Sequence, residues 1–140
     1  MKQDFSKRIT IVANRRLESW QVLNTVAHIS AFIGNQMKDK FDTGDHFETK
    51  DGLIHPRNSQ FPIIVLSAEF KQLNRLITDV RNSNLLYIGF IREMIEVTND
   101  EEISKILSNK QDSEIEYLGI GIFGNNEEII KLTKKFSLWK

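Results

Sequence analysis

The chain has 140 residues, of which 40% are hydrophobic and 27% charged, with no cysteine and a formal net charge of zero. That length and balance fit one globular domain over residues 1–140 with a core of its own. They exclude disulfides and thiolate metal sites, and no stretch approaches the ~20 apolar residues of a membrane span.

The first element in chain order is Arg8-Ile-Thr-Ile-Val-Ala13, β-branched and apolar, which reads as a strand buried on both faces. Asn14 to Glu18 is a short polar connection, and Ser19 is the expected cap of a long helix. Trp20, Leu23, Val26, Ala27, Ser30, Ile33 and Met37 recur at helical spacing and are expected to face the core. Gln21, Asn24, Thr25, His28 and Asn35 share the other side. Lys38 to Gln60 is polar and punctuated by Gly44, Gly52 and Pro56. It reads as a loop, with Phe47-Glu-Thr and Leu53-Ile as short strand pieces. Its length marks it as functional or as an excursion from the domain.

Phe61-Pro-Ile-Ile-Val-Leu66 is the second strong strand, with Pro62 at its start or on an edge because it lacks an amide donor. Ser67 is expected to cap a helix from Ala68 to Arg81, followed by a strand over Leu85–Ile91. Thr98-Asn-Asp-Glu101 has the pattern of a capping box before a short helix. Glu116–Phe123 is the fourth strand. Asn125 with Glu128 opens a helix to about Lys134, and Phe136–Trp139 reads as a short edge strand. Strands alternating with helices predict an α/β domain, a single compact layered unit with a mixed four- to five-stranded sheet flanked by helices.

Chemistry is sparser. Gly119-Ile-Gly-Ile-Phe-Gly124 spells a dinucleotide-binding fingerprint, but its first two glycines lie inside the strand and the next helix opens with Glu127 and Glu128, which would repel a phosphate. The glycines are better read as room on one strand face for a packed neighbour or for the close approach of a ligand. His28 is the leading catalytic candidate, because imidazole exchanges protons near neutral pH. His46 and His55 are too irregularly spaced from it for a compact metal motif, so neither metal nor cofactor is expected. Asn14, Arg15, Arg16, Ser19, Gln21 and Thr25 are candidate ligand-binding residues around the same strand-to-helix junction, with His55 as a weaker addition. Arg15 and Arg16 have the fork geometry that clamps phosphate or carboxylate. Glu93 and Glu96 follow a strand end, where α/β proteins often hold ligands. Trp20 is expected in the core, and Trp139 lies among lysines near the end of the chain.

Two segments carry a resemblance. Ile9 to Gly34, a strand, a loop and a helix bearing Thr25-Val-Ala-His28, resembles the first strand and helix of type II peptidyl-tRNA hydrolases. Tyr117-Leu-Gly-Ile-Gly-Ile-Phe-Gly, followed by Ile129-Ile-Lys-Leu-Thr-Lys-Lys-Phe-Ser-Leu, resembles their last strand and helix. The resemblance is closer, over nearly the whole chain, to the bacterial domain-of-unknown-function family numbered two thousand, a group similar to those hydrolases. It rests on Gly52 with His55-Pro56, Phe61-Pro-Ile-Ile-Val-Leu and the Tyr117 strand. The resemblance implies a mixed sheet flanked by helices and makes His28 and the loop before it the leading site.

Hydrolysis of peptidyl-tRNA is not carried across with it. Ser19 and Gln21 stand where the hydrolases have a basic entry to the helix, Thr25 where they have glutamine, and Arg92–Glu114 is an acidic insert. Peptidyl-tRNA is anionic, and these changes run against it. The expected protein is cytoplasmic and binds a small molecule or protein at the His28 face. A true peptidyl-tRNA or ester hydrolase and a non-catalytic homodimer are the other two readings, with tRNA a disfavoured partner and no membrane involved.

Overall fold

A computed structural model describes residues 2–41 and 44–140. In chain order the elements are β1 (Lys7–Asn14), α1 (Ser19–Met37), β2 (Phe47–Glu48), β3 (Ile54–His55), β4 (Ile63–Ala68), α2 (Phe70–Arg81), β5 (Leu86–Ile91), α3 (Arg92–Glu96), α4 (Asp100–Ser108), β6 (Tyr117–Asn125), α5 (Asn126–Thr133) and β7 (Ser137–Leu138). The main sheet is five-stranded and mixed, in the order β5-β6-β1-β4-β7. The central strand β1 runs parallel to β4, as expected for strands joined through a helix, and antiparallel to β6. β5 and β7 form the two edges.

Helix α1 covers one face of the sheet and α2 with α5 the other, so the apolar residues divide into two cores. Ile9 and Ile11 of β1 pack with Ile29 and Ile33 of α1 and with Phe90. Val12 and Leu66 pack with Leu73, Leu76 and Ile77 of α2 and Ile129 of α5. The alternation along β1 is therefore the signature of a strand covered on both sides.

The glycines of β6 set how α1 lies. A Cβ on Gly119 would come 2.7 Å from the Thr25 methyl, and one on Gly121 would overlap Ile29 and come 3.0 Å from Ile33. The glycine pair is a seam into which the helix is pressed, so of the two uses the sequence allows it is the packed neighbour that fills the space.

That seam also corrects the expected face of α1. Val22, Thr25, Ile29, Ile33 and Met37 are buried, while Trp20 is 56% and Leu23 70% exposed. The helix is turned so that the small Thr25 meets Gly119, which carries Trp20 out of the core. The Trp20 indole N–H instead donates to Glu18 at 2.9 Å.

Helix caps differ too. Ser19 is the first helical residue, and the cap is Glu18, whose amide donates to the Gln21 side chain at 2.9 Å. Ser67 belongs to β4, paired with Ala13 and Ser137, and α2 starts after Glu69, whose amide donates to Gln72. In the capping segment of α4, Asn99 rather than Thr98 supplies the side-chain acceptor. Sheet pairing outcompetes the serine cap at Ser67, because the ladder satisfies backbone groups on both sides at once.

The expected loop over 38–60 contains a separate hairpin of β2 and β3, with Phe47 opposite His55. Gly52 takes the positive φ of 84° that its turn requires. Residues 42 and 43 of that loop lie outside the described residues.

Candidate functional site

His28 emerges from α1 beside the end of β5. Its imidazole stacks on the ring of Phe90, with centroids 5.2 Å apart and planes 13° from parallel. The pair forms one wall of an open groove of about 500 Å³, whose other walls are Phe32 and Ile88 together with Met94, Ile95 and Ile103 from the segment after β5. Thr98 and Asp100 supply polar atoms at its rim, at the start of α4. The volume is within the usual range for small-molecule sites, and the lining has the usual composition, mostly apolar with a few polar groups. His28 is exposed and makes no hydrogen bond to a described residue, so no described carboxylate fixes its tautomer.

The other candidates at the junction lie elsewhere. Asn14 is buried at the end of β1, where its side-chain oxygen accepts the Arg16 amide at 2.9 Å. Arg15 and Arg16 converge on a single carboxylate, Glu69, at 3.5 and 3.3 Å. Arg15 also lines a shallow pocket of about 300 Å³ with Ser67, Trp139 and Lys140. The fold thus brings together an arginine and a tryptophan from opposite ends of the sequence.

Ser19 is exposed on the first turn of α1, and Gln21 is engaged in the cap. Thr25 is fully buried against Gly119 and faces the sheet, not the groove. His55 is exposed on β3, in the separate hairpin. Glu93 is buried, with one oxygen accepting from Lys110 at 2.7 Å, and Glu96 pairs with Arg92. Among the described residues no group of three or more histidine or acidic side chains could hold a metal ion. No described helix is long and apolar enough to cross a membrane.

A second cavity, of about 350 Å³, lies on the opposite face of β5. Tyr87 and Ile91 point into it and Gly89 lines it, whereas Ile88 and Phe90 point into the His28 groove, as the alternation of a strand requires. Met94 of α3 borders both.

The elements that form these walls span nearly the whole chain, and so does its family match. Residues 7–140 match the model of DUF2000, described as a protein of unknown function. The chain belongs to the DUF2000 family. A solved structure similar to this DUF2000 chain is that of Atu0240, a protein of unknown function from Agrobacterium tumefaciens strain C58. The two share a TM-score of 0.84 and 20% identity, over 98% of this chain and 100% of that one. At that identity the likeness is one of fold. No curated protein matches the DUF2000 chain in sequence.

Of the residues that make the groove around His28, the sequence places Phe90 in a strand and Ile103 in a short helix, while Met94 lies in the acidic insert and carries no signal of its own. The usable signal was the strand itself: Leu86–Ile91 is apolar on both faces and yet forms an edge, so both faces need cover. The cover supplied by α3 and α4 is incomplete, and α4 has no buried residue.

Proposed function

We propose that this protein is a ligand-binding relative of the type II peptidyl-tRNA hydrolases, and that it takes a small, largely apolar molecule with a planar group in the groove beside His28. The observation that carries this reading is the stack of His28 on Phe90 at the wall of a groove of about 500 Å³. A flat imidazole edge above an apolar trough offers one hydrogen bond and much contact area, which suits binding and orientation. Asn14, Arg15, Arg16, Ser19 and Gln21 then serve the helix entry, and the ligand is held by His28 with the groove walls. The protein acts in the cytoplasm, in keeping with its lack of cysteine.

Peptidyl-tRNA hydrolysis is the weaker reading. Arg15 and Arg16 share Glu69, so the basic junction is partly neutralised, and among the described residues His28 has no carboxylate to orient it as a base. A homodimer has some support in the apolar residues Phe47, Leu53 and Ile54 exposed on the hairpin.

Titration with indole, followed on the methyl groups of Ile88 and Ile103, tests the binding reading. Saturable shifts that disappear in His28→Ala are expected, and shifts unchanged by that substitution would remove His28 from the site. Peptidyl-tRNA turnover is expected to be at background and equal in wild type and His28→Ala. Sedimentation at rising concentration is expected to show a monomer; a dimer lost on Ile54→Lys would favour the interaction reading.

A further inference from the structure

The cavity on the α2 face of β5 has its polarity sorted. Ile77, Ile91, Leu107 and Ile115 form an apolar trough, and the charged groups Arg81, Lys110 and Asp112 line it together with Tyr117. Two backbone features place the tyrosine there. Phe90 pairs with Gly119 but Ile91 pairs with Tyr117, so Leu118 is a bulge and the alternation of β6 is reset. Gly119 and Gly121 face α1, and without the bulge Tyr117 would face α1 as well. With it, the ring crosses to the α2 side, where Gly89 leaves it room: a Cβ on Gly89 would come 2.6 Å from the Tyr117 ring. Bulges that re-aim one side chain occur preferentially beside functional sites.

The hydroxyl of Tyr117, a residue only 4% exposed, donates to Asp112 Oδ1 at 2.9 Å and accepts from Arg81 Nη2 at 2.9 Å. Arg81 also holds the same carboxylate with both arms of its fork, at 2.6 and 2.9 Å. Two guanidinium donors and a buried phenol converging on one carboxylate are a carboxylate receptor. Its present occupant comes from a short surface turn, Asp112–Glu114, and is itself 48% exposed at the side chain. The pair is bidentate, but both of its side chains are more than two-fifths exposed, so a competing carboxylate can reach the receptor from solvent.

We infer that this cavity is a second binding site, on the opposite face of the sheet from His28, that takes a small aliphatic carboxylate. The ligand's chain lies in the trough, and its carboxylate replaces Asp112 on Arg81 and Tyr117. Asp112 is then an internal stand-in that keeps the receptor closed until a ligand competes with it. Lys110 is not part of the receptor, because it is committed to Glu93 at 2.7 Å.

The test is octanoate titrated into the full chain, read on isoleucine methyl groups by NMR, with octylamine as the control of opposite charge. Saturable shifts are expected at Ile77, Ile91 and Ile115. Asp112→Ala, which empties the receptor, is expected to bind roughly two- to fivefold more tightly, the ratio set by loss of an exposed competing ion pair. Tyr117→Phe is expected to bind about tenfold more weakly, through loss of a charge-assisted hydrogen bond. A gain of affinity cannot arise from damage to the fold, so Asp112→Ala keeps the test decisive even where Arg81→Gln fails to fold. Equal affinity in wild type and Asp112→Ala, octylamine binding as well as octanoate, or shifts confined to Ile88 and Ile103 would each overturn the proposal. The last result would assign the ligand to the His28 groove instead.

Discussion

Gly121 of β6 and Ile29 of α1 are packed so closely that a single methyl group on the glycine would occupy the space of the Ile29 side chain. Ile29 is β-branched and fully buried, and a second neighbour, Ile33, stands 3.0 Å from the same point. Neither can rotate away within a filled core, so the helix itself would have to move. Gly121→Ala is therefore expected to cost about 1–3 kcal/mol, the range for overpacking, and to lower the melting temperature by several degrees. Gly34→Ala is the matched control, because nothing lies within 4 Å of its added methyl. Calorimetry on the two variants checks the contrast; equal melting points would mean that the seam does not hold the helix.

Much of the architecture was legible because the signals were local and redundant. Arg8–Ala13, Phe61–Leu66 and Glu116–Phe123 are continuous apolar runs, and each is a strand within a residue or two of the expected bounds. The rotation of α1 was not legible. Val22 and Leu23, or Thr25 and Val26, offer the same periodicity one step apart, and the choice is made by glycines nearly a hundred residues later in the chain. The candidate site divides in the same way. His28 is singled out as a candidate by its chemistry, but the ring it stacks on, Phe90, is not, since an apolar residue in a strand carries no mark of which cavity it will line. Tyr117 was hidden twice, by the bulge that turns it over and by the glycine on the neighbouring strand that admits it.

The ion pairs around β6 make stability depend on pH at both ends of the scale. Arg81 holds the carboxyl of Asp112, and Arg92 that of Glu116, below their ordinary values of 3.8 and 4.5. A group whose value is lowered on folding stabilises the native state above its ordinary value, and that contribution is lost as pH falls through the lowered one. Urea midpoints are thus expected to fall as pH drops below about 4, with a shallower fall in Asp112→Asn and Glu116→Gln.

At the alkaline end, burial, and then the hydrogen bond with Asp112, push Tyr117 up to about 12 from 10.0. Its contribution is complete below 10 and is lost as pH rises through 12. Tyrosinate absorbance should show a late phase that is absent in Tyr117→Phe.

Glu93 and Lys110 form an asymmetric pair. Glu93 is 7% exposed, and its second oxygen is buried without a partner, while Lys110 reaches it from the surface. Lys110 and the nearby Arg92 favour the charged form against the cost of burial, and the balance leaves the Glu93 carboxyl below its ordinary value. Lys110→Met removes the main compensation for a buried charge, whereas Glu93→Met returns a lysine to solvent. The first substitution is expected to destabilise more than the second, and the double variant to recover most of the loss. A double-mutant cycle by urea denaturation measures this directly. Additive losses would show that the two side chains do not act as a pair.

His28 and Phe90 touch, yet they should separate cleanly into function and fold. Phe90 is buried in the α1 core with Ile9, Ile11 and Leu118, so truncation to alanine is expected to cost about 3–5 kcal/mol through lost contacts and a cavity. His28 is exposed and gives the fold one ring contact, so His28→Ala should stay within about 1 kcal/mol of wild type. Loss of indole binding in Phe90→Ala would therefore say little, because the groove wall itself is damaged. In His28→Ala the wall remains, and any loss of binding belongs to the imidazole. Paired melting curves and indole titrations on both variants check the separation. A large drop in stability for His28→Ala would make the histidine a structural residue and leave the groove without its polar contact from α1.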